Sequence, residues 1–289
     1  MILTLGVFTV PDTSSPVSGS IQGVLLIASF ARLLEGGRKG RSSVFARAGM
    51  PREVMPSTVK PSSLSDVAPL GGLVLLGGGG HAVVVAEAAL LAGVVIAGFL
   101  DDHPAPPLAA ILIDVPRPFE TPAHLGPLAG LVMLGAVPWV LALGDLRTRR
   151  GLLRSARESA GAGAGALLAR ARSVIHPTAI VSPTASIGPG AFIGPGAIVH
   201  ARAKVGAHAT VNSGAIVEHD CTIDENAHVA PGAVLGGGCH VGADALVGLG
   251  SRLLPGVSIG AGATVGAGAV VLEAVREGAM VVGVPARVV

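Results

Sequence analysis

Residues 191–241 read AFIGPGAIVHARAKVGAHATVNSGAIVEHDCTIDENAHVAPGAVLGGGCHV, and in them Ile193, Val199, Val205, Val211, Val217, Ile223, Val229, Leu235 and Val241 recur at every sixth position. Followed outward in both directions, the beat holds from position 175 to position 271, seventeen successive residues that are all Ile, Val or Leu. Neither the 3.6-residue helical period nor strand alternation gives that spacing. A fixed short period marks a solenoid, whose units bury their apolar faces only by stacking on their neighbours. Three six-residue rungs joined by tight turns make a triangular coil. Positions eighteen apart should then lie one above another at roughly 4.8 Å, the strand spacing of a sheet. Seventeen beats give between five and six coils.

Two residues before each beat stands a small or compact residue, among them Ala191, Ala197, Ala203, Ala209, Ala215, Cys221 and Cys239, which reads as the filling of a narrow corner. Three residues after the beat glycine recurs, for example at Gly190, Gly214, Gly238 and Gly262, where a tight corner calls for positive φ. The chain has no Tyr, one Trp and six Phe, so stacked aliphatic ladders replace an aromatic core. An Ala/Gly-rich disordered tract would not keep seventeen beats in register. A coiled coil needs a seven-residue repeat, and Pro177, Pro183, Pro189, Pro195, Pro231 and Pro255 would break it.

At 289 residues the chain holds about two domains. A formal net charge of +2 offers no basic field, which argues against nucleic acid as a partner. Cys221 and Cys239 are eighteen apart in the same inward register, so they read as buried free thiols on adjacent coils. With two cysteines and no secretory pattern, the expected compartment is the cytoplasm. Mean hydropathy is +0.68, and residues 125–144 carry no charge, long enough for a membrane helix. Gly126, Pro127, Gly130, Gly135 and Pro138 interrupt that stretch, which reads instead as short buried strands of a parallel sheet, with no membrane span.

Residues 1–70, with Ser, Pro and Arg clusters, read as an extension without regular order. Residues 71–172 change character: an apolar strand at 73–76, the loop Gly77-Gly78-Gly79-Gly80-His81-Ala82, a helical pattern to about Leu91, and a strand at 94–100 that runs into Asp101 and Asp102. That order is a Rossmann-like βαβ unit, in which bare amides at a helix N-terminus approach a phosphate closely. Four glycines also suit a flexible turn, and Gly77, Gly79 and Ala82 match a dinucleotide pattern, so the loop alone leaves the ligand open. A third strand at 139–143 leads to Gly144, an Arg-rich helix follows at 146–158, and 161–165 reads as a loop. Residues 173–289 are the solenoid. Its hexad register is unbroken, so no long loop forms an acceptor pocket, and the N-terminal domain must supply one.

The loop GGGGHA, the motifs FLDD and ALGD, the run NSGAIVEHDC and the tail VVGVPA together resemble the sugar acyltransferases typified by bacterial sialic acid O-acetyltransferases and UDP-4-amino-sugar N-acetyltransferases. The resemblance covers about residues 72–289. It implies a left-handed parallel β-helix, a homotrimer, and acetyl-CoA as co-substrate in the groove between subunits. It implies His219 as general base, Asp220 as the carboxylate that orients it, and His228, Gly237, Leu249 and Ala267 as acetyl-CoA contacts, with the Gly237 N–H meeting the thioester carbonyl. Gly79, Gly80, His81, Asp101, Asp102, Gly144 and Asn212 become acceptor-binding positions for a sugar or nucleotide-sugar. Independently of any family, His219 falls two after the beat at Val217, on a turn that a substrate reaches, and an imidazole takes a proton near neutrality. Glu218-His219-Asp220 read without the resemblance is also an ordinary solvated turn. Asp220 is shorter than the Glu common among the amino-sugar enzymes. Asp145-Leu146 also departs from their usual Asn-Asn, which leaves the acceptor and N- versus O-transfer open. Two rivals are a non-catalytic nucleotide-sugar scaffold and a zinc carbonic anhydrase; no two histidines are five apart, which argues against the second, and no metal is expected.

Overall fold

The computed structural model describes residues 72–110 and 121–289; the segment read as an extension lies outside the described residues. The N-terminal part is a three-layer α/β unit. Strands β1 (Leu73–Leu76), β2 (Ile96–Leu100) and β3 (Trp139–Leu141) form a parallel sheet in the order β2-β1-β3. Because side chains alternate along β1, Leu73 and Leu75 pack against helix α1 (Gly80–Leu91), while Val74 and Leu76 face helix α3 (Leu146–Ala160). A short helix α2 (Pro107–Ala110) sits between β2 and the second layer in sequence.

Three local expectations fail here. The stretch 125–144 holds only β3 as a strand; Leu128–Met133 is a 3₁₀ helix whose first N–H is capped by the Asp102 carboxylate at 2.9 Å. Residues 161–165 are helical rather than loop. Gly161 turns the chain with φ +48°, and helix α4 (Ala164–Leu168) follows because Leu167 finds burial under Trp139, whose indole N–H donates to the Leu167 carbonyl at 3.0 Å. The second strand also starts two residues later than its apolar pattern, at Ile96.

From Val174 onward the chain is a parallel β-helix with three flat faces. In-register pairs are eighteen apart, as in Ile198↔Ile216↔Val234 on the second face and Thr222↔His240↔Ser258 on the third. The beat residues point inward, so Ile193, Val199, Val211, Val217, Val229, Leu235 and Val247 are buried together with the corner alanines. Each fully buried aliphatic side chain contributes roughly 1.5–3 kcal/mol, and the stack shares that contribution between neighbouring rungs rather than in one globular centre. At each corner the residue two after the beat carries an N–H that the ladder does not use, which explains why proline recurs there. The residue three after it mostly adopts positive φ and donates to the corner below, as Gly238 N–H does to the His219 carbonyl at 2.9 Å. The last coil is two residues shorter, pairing Val265 with Val281, and the chain then reverses so that Val281 pairs antiparallel with Val288.

The first face is the one the α/β unit covers. Its outward residues Val174, Phe192, Thr210 and His228 are buried, Val174 and Phe192 in one cluster with α1. Arg149 of α3, 1% exposed, donates to the Thr210 hydroxyl at 3.0 Å and to the His208 carbonyl. Trp139 stacks on His208, with ring centroids 5.3 Å apart.

Candidate active site

The glycine loop divides by function. A side chain at Gly77 or Gly78 would strike Ala142 or Pro106, and Gly77 has φ +118°, so those two are required by packing. Gly79 and Gly80 have open space where a side chain would stand. Gly79 precedes α1 with no side-chain cap, leaving the first amides of a twelve-residue helix available to an anion. The Asp101 carboxylate is already engaged, accepting from Gly78 N–H at 2.6 Å and His103 N–H at 2.7 Å, so it braces the loop.

His81 in the first turn of α1 lies beside Gly144 and meets Phe192 edge to face, with centroids 5.4 Å apart. The His228 ring is 6.5 Å from His81, and its Nε2 accepts from the Asn212 side-chain amide at 3.1 Å. The Asn212 carbonyl also accepts Ser213 N–H at 2.8 Å, so it caps its turn and holds His228 at once. Burial and then the nearby Arg149 cation push His81 down to about 4 and His228 to about 3, which keeps both rings neutral near pH 7. Gly79, Gly80, His81, Gly144, Asn212 and His228 thus converge along one seam.

His219 stands elsewhere. It occupies the corner between the second and third faces, whereas the α/β unit covers the first, so in a triangular section the two lie on opposite sides of the prism. Its Nδ1 is 2.7 Å from the Asp220 carboxylate, an arrangement in which Nδ1–H donates and Nε2 keeps a free lone pair. Asp220, at φ +61°, is held by a second partner: Arg202, one coil below in the same register, donates to both carboxylate oxygens at 2.6 and 2.7 Å. Hydrogen bonds from Arg202 first, and His219 second, hold this carboxyl far below the usual range. Directly above the imidazole lies Gly237, where a side chain's first carbon would come within 2.7 Å of both Cε1 and Nε2. Gly237 N–H makes no backbone hydrogen bond. The corner therefore presents a free imidazole nitrogen next to a free amide donor. Leu249, 58% exposed, and Ala267 stack at the corner between the first and second faces, apart from His219. Arg202 escaped the sequence reading, although the eighteen-residue spacing to Asp220 would have found it; nothing in the pattern points to buried Arg149. Among the described residues no cluster of three or more His, Cys, Asp or Glu is placed to hold a metal ion, and no helix is long and apolar enough to cross a membrane.

Residues 72–156 match the family model described as the PglD N-terminal domain, and residues 202–237 match that of the bacterial transferase hexapeptide with six repeats. The structure of PerB from Caulobacter crescentus, in complex with CoA and GDP-perosamine, is 35% identical, with a TM-score of 0.63 over 76% of this chain and 98% of that one. The chain belongs to the hexapeptide-repeat sugar acetyltransferases. The acetyltransferase domain of PglB from Neisseria gonorrhoeae, solved with acetyl coenzyme A, is 32% identical over 99% of its length, with a TM-score of 0.64 over 76% of this chain. WeeI from Acinetobacter baumannii, at 22% identity and a TM-score of 0.57, shares the fold. No curated protein matches in sequence. Membership assigns the solenoid to the left-handed parallel β-helix class that follows a Rossmann-like unit.

Proposed function

We propose that this acetyltransferase moves the acetyl group of acetyl-CoA to an amino or hydroxyl group of a nucleotide-activated sugar. The acceptor's diphosphate rests on the open amides at Gly79 and Gly80, the sugar reaches toward His219, and His219 Nε2 removes a proton as the nucleophile attacks the thioester carbon. Gly237 N–H stabilises the oxyanion. Collapse breaks the C–S bond, and the proton on His219 passes to the departing CoA thiolate. Asp220 keeps Nδ1 protonated and balances the imidazolium. The observation that carries this reading is the adjacency of an oriented imidazole and an unbonded glycine amide at one corner. The related proteins crystallised with CoA, acetyl coenzyme A and GDP-perosamine support the choice of donor and acceptor class.

Because His219 and the acceptor seam lie on opposite sides of one prism, the working site joins two copies. The second face supplies a surface for that union, with an outward β-branched ladder of Ile180, Ile198, Ile216 and Val234, against Ser186, Lys204, Thr222 and His240 on the third. A trimer places each second face against a neighbour and brings His228, Leu249 and Ala267 of one copy toward the His219 corner of another. The test is thiol release from acetyl-CoA with a panel of nucleotide amino- and deoxy-sugars. His219→Ala is expected to lower kcat about 100-fold or more, the scale of lost general-base catalysis, with an unchanged melting temperature. Near-normal turnover of a purified variant would remove His219 from the mechanism. A melting-temperature rise with nucleotide sugars but none with any CoA species would make the protein a scaffold instead.

A further inference from the structure

The two thiols follow His219 and Gly237 by two residues each, in the corner register that alanine holds on most other rungs. Cys221 Sγ donates to the Gly236 carbonyl at 3.2 Å. That carbonyl and the Gly237 N–H belong to one planar, conjugated peptide group. The backbone donor to the same carbonyl, Cys239 N–H, stands at 3.4 Å, the long end of the range, and the thiol adds a second, weaker donor to it. A proton placed on a peptide oxygen draws electron density from the nitrogen and strengthens the N–H as a donor.

We infer that Cys221 is a positioning residue for acetyl transfer: from inside the prism its S–H polarises and orients the Gly236–Gly237 peptide, whose N–H faces the thioester carbonyl. The inference rests on the acetyl-transfer reading above. Cys239 provides an internal control. Its Sγ makes the same contact one coil on, with the Leu254 carbonyl at 3.1 Å, but the peptide it holds ends at Pro255, which has no N–H to offer.

The test compares Cys221→Ala, Cys221→Ser and Cys239→Ala in the full chain. Alanine already occupies this register on neighbouring rungs, so the fold tolerates both alanine variants. Two readouts are taken: kcat and KM for acetyl-CoA, and the infrared carbonyl band of bound acetyl-CoA labelled with ¹³C at the acetyl carbonyl. For Cys221→Ala the expected result is a kcat lower by about 3- to 10-fold, the effect of weakening rather than removing an oxyanion donor, with KM unchanged and the band moved toward that of free acetyl-CoA. Cys221→Ser restores both, and Cys239→Ala matches the wild type. Equal kcat and band position in Cys221→Ala and wild type, or a serine variant as impaired as the alanine one, overturns the inference while leaving acetyl transfer intact. A wild-type protein that neither releases CoA nor shifts the bound carbonyl band overturns the acetyl-transfer reading, and this inference falls with it.

Discussion

Asp220 occupies a corner at φ +61°, a conformation that Asp tolerates better than most residues, and from there its carboxylate reaches His219 and Arg202 together. The two partners do different work. His219 needs an acceptor at Nδ1 to keep its tautomer, so Asp220→Asn, which offers an amide in place of a carboxylate, is expected to lower kcat by about 100-fold or more. Arg202 is exposed and only steadies the carboxylate, so Arg202→Ala should cost kcat less than about 10-fold, with KM for acetyl-CoA unchanged. Steady-state kinetics of both variants decide the ranking; an Arg202→Ala loss as large as that of Asp220→Asn would mean that the guanidinium itself meets substrate. His219 and Asp220 are visible in the sequence as ionisable residues two and three after the beat at Val217, a placement that an ordinary solvated turn shares, so the role proposed for them comes from the family resemblance. Asp101 is legible as an acid after a strand, but not its task of bracing Gly78, since that depends on a loop whose path local residues do not dictate.

At the scale of elements, helix α3 is pinned to the first face through Arg149, His208 and the single tryptophan. Burial, aided by Arg149 and then Arg157, pushes His208 from 6.5 down to about 4. The folded state therefore keeps this ring neutral over a range in which the unfolded chain protonates it. Its contribution to stability is complete above about pH 6.5 and declines as pH falls toward 4, by on the order of 3 kcal/mol for this side chain alone. His81 and His228 add in the same direction. Denaturant unfolding followed by Trp139 fluorescence should show a midpoint that falls steeply between pH 6.5 and 4, and His208→Asn should flatten that fall; a pH-independent midpoint in the wild type would refute the linkage. The solenoid elements were legible rung by rung, because each hexad repeats one geometric demand. Helix α4 was not: its short Ala/Gly/Leu run has a loop's composition and is helical because Leu167 has a cluster to join.

For the whole molecule, the reading proposed above makes a demand on assembly, because the glycine-loop seam and His219 lie on opposite sides of the prism. Gly80→Phe fills the open side of the glycine loop, and His219→Ala removes the proposed base, so each variant alone should be inactive. Co-expressed, they should form mixed oligomers in which an intact loop of one copy faces an intact His219 of another, and a measurable fraction of activity returns. Absence of rescue with mixed oligomers present would place the whole site within one copy. Ile216→Asp, set in the β-branched ladder of the second face, should yield a folded monomer without turnover, as read by sedimentation and circular dichroism.

The reversal that pairs Val288 with Val281 also bears on how the protein avoids its own kind. A stack of parallel rungs ends in unsatisfied amides and carbonyls on every side, a template on which the next molecule could dock end to end and extend without limit. Folding the chain back leaves at the edge of that sheet only a two-residue strand running against the parallel ladder, a short and reversed template on which a further parallel rung has little to dock.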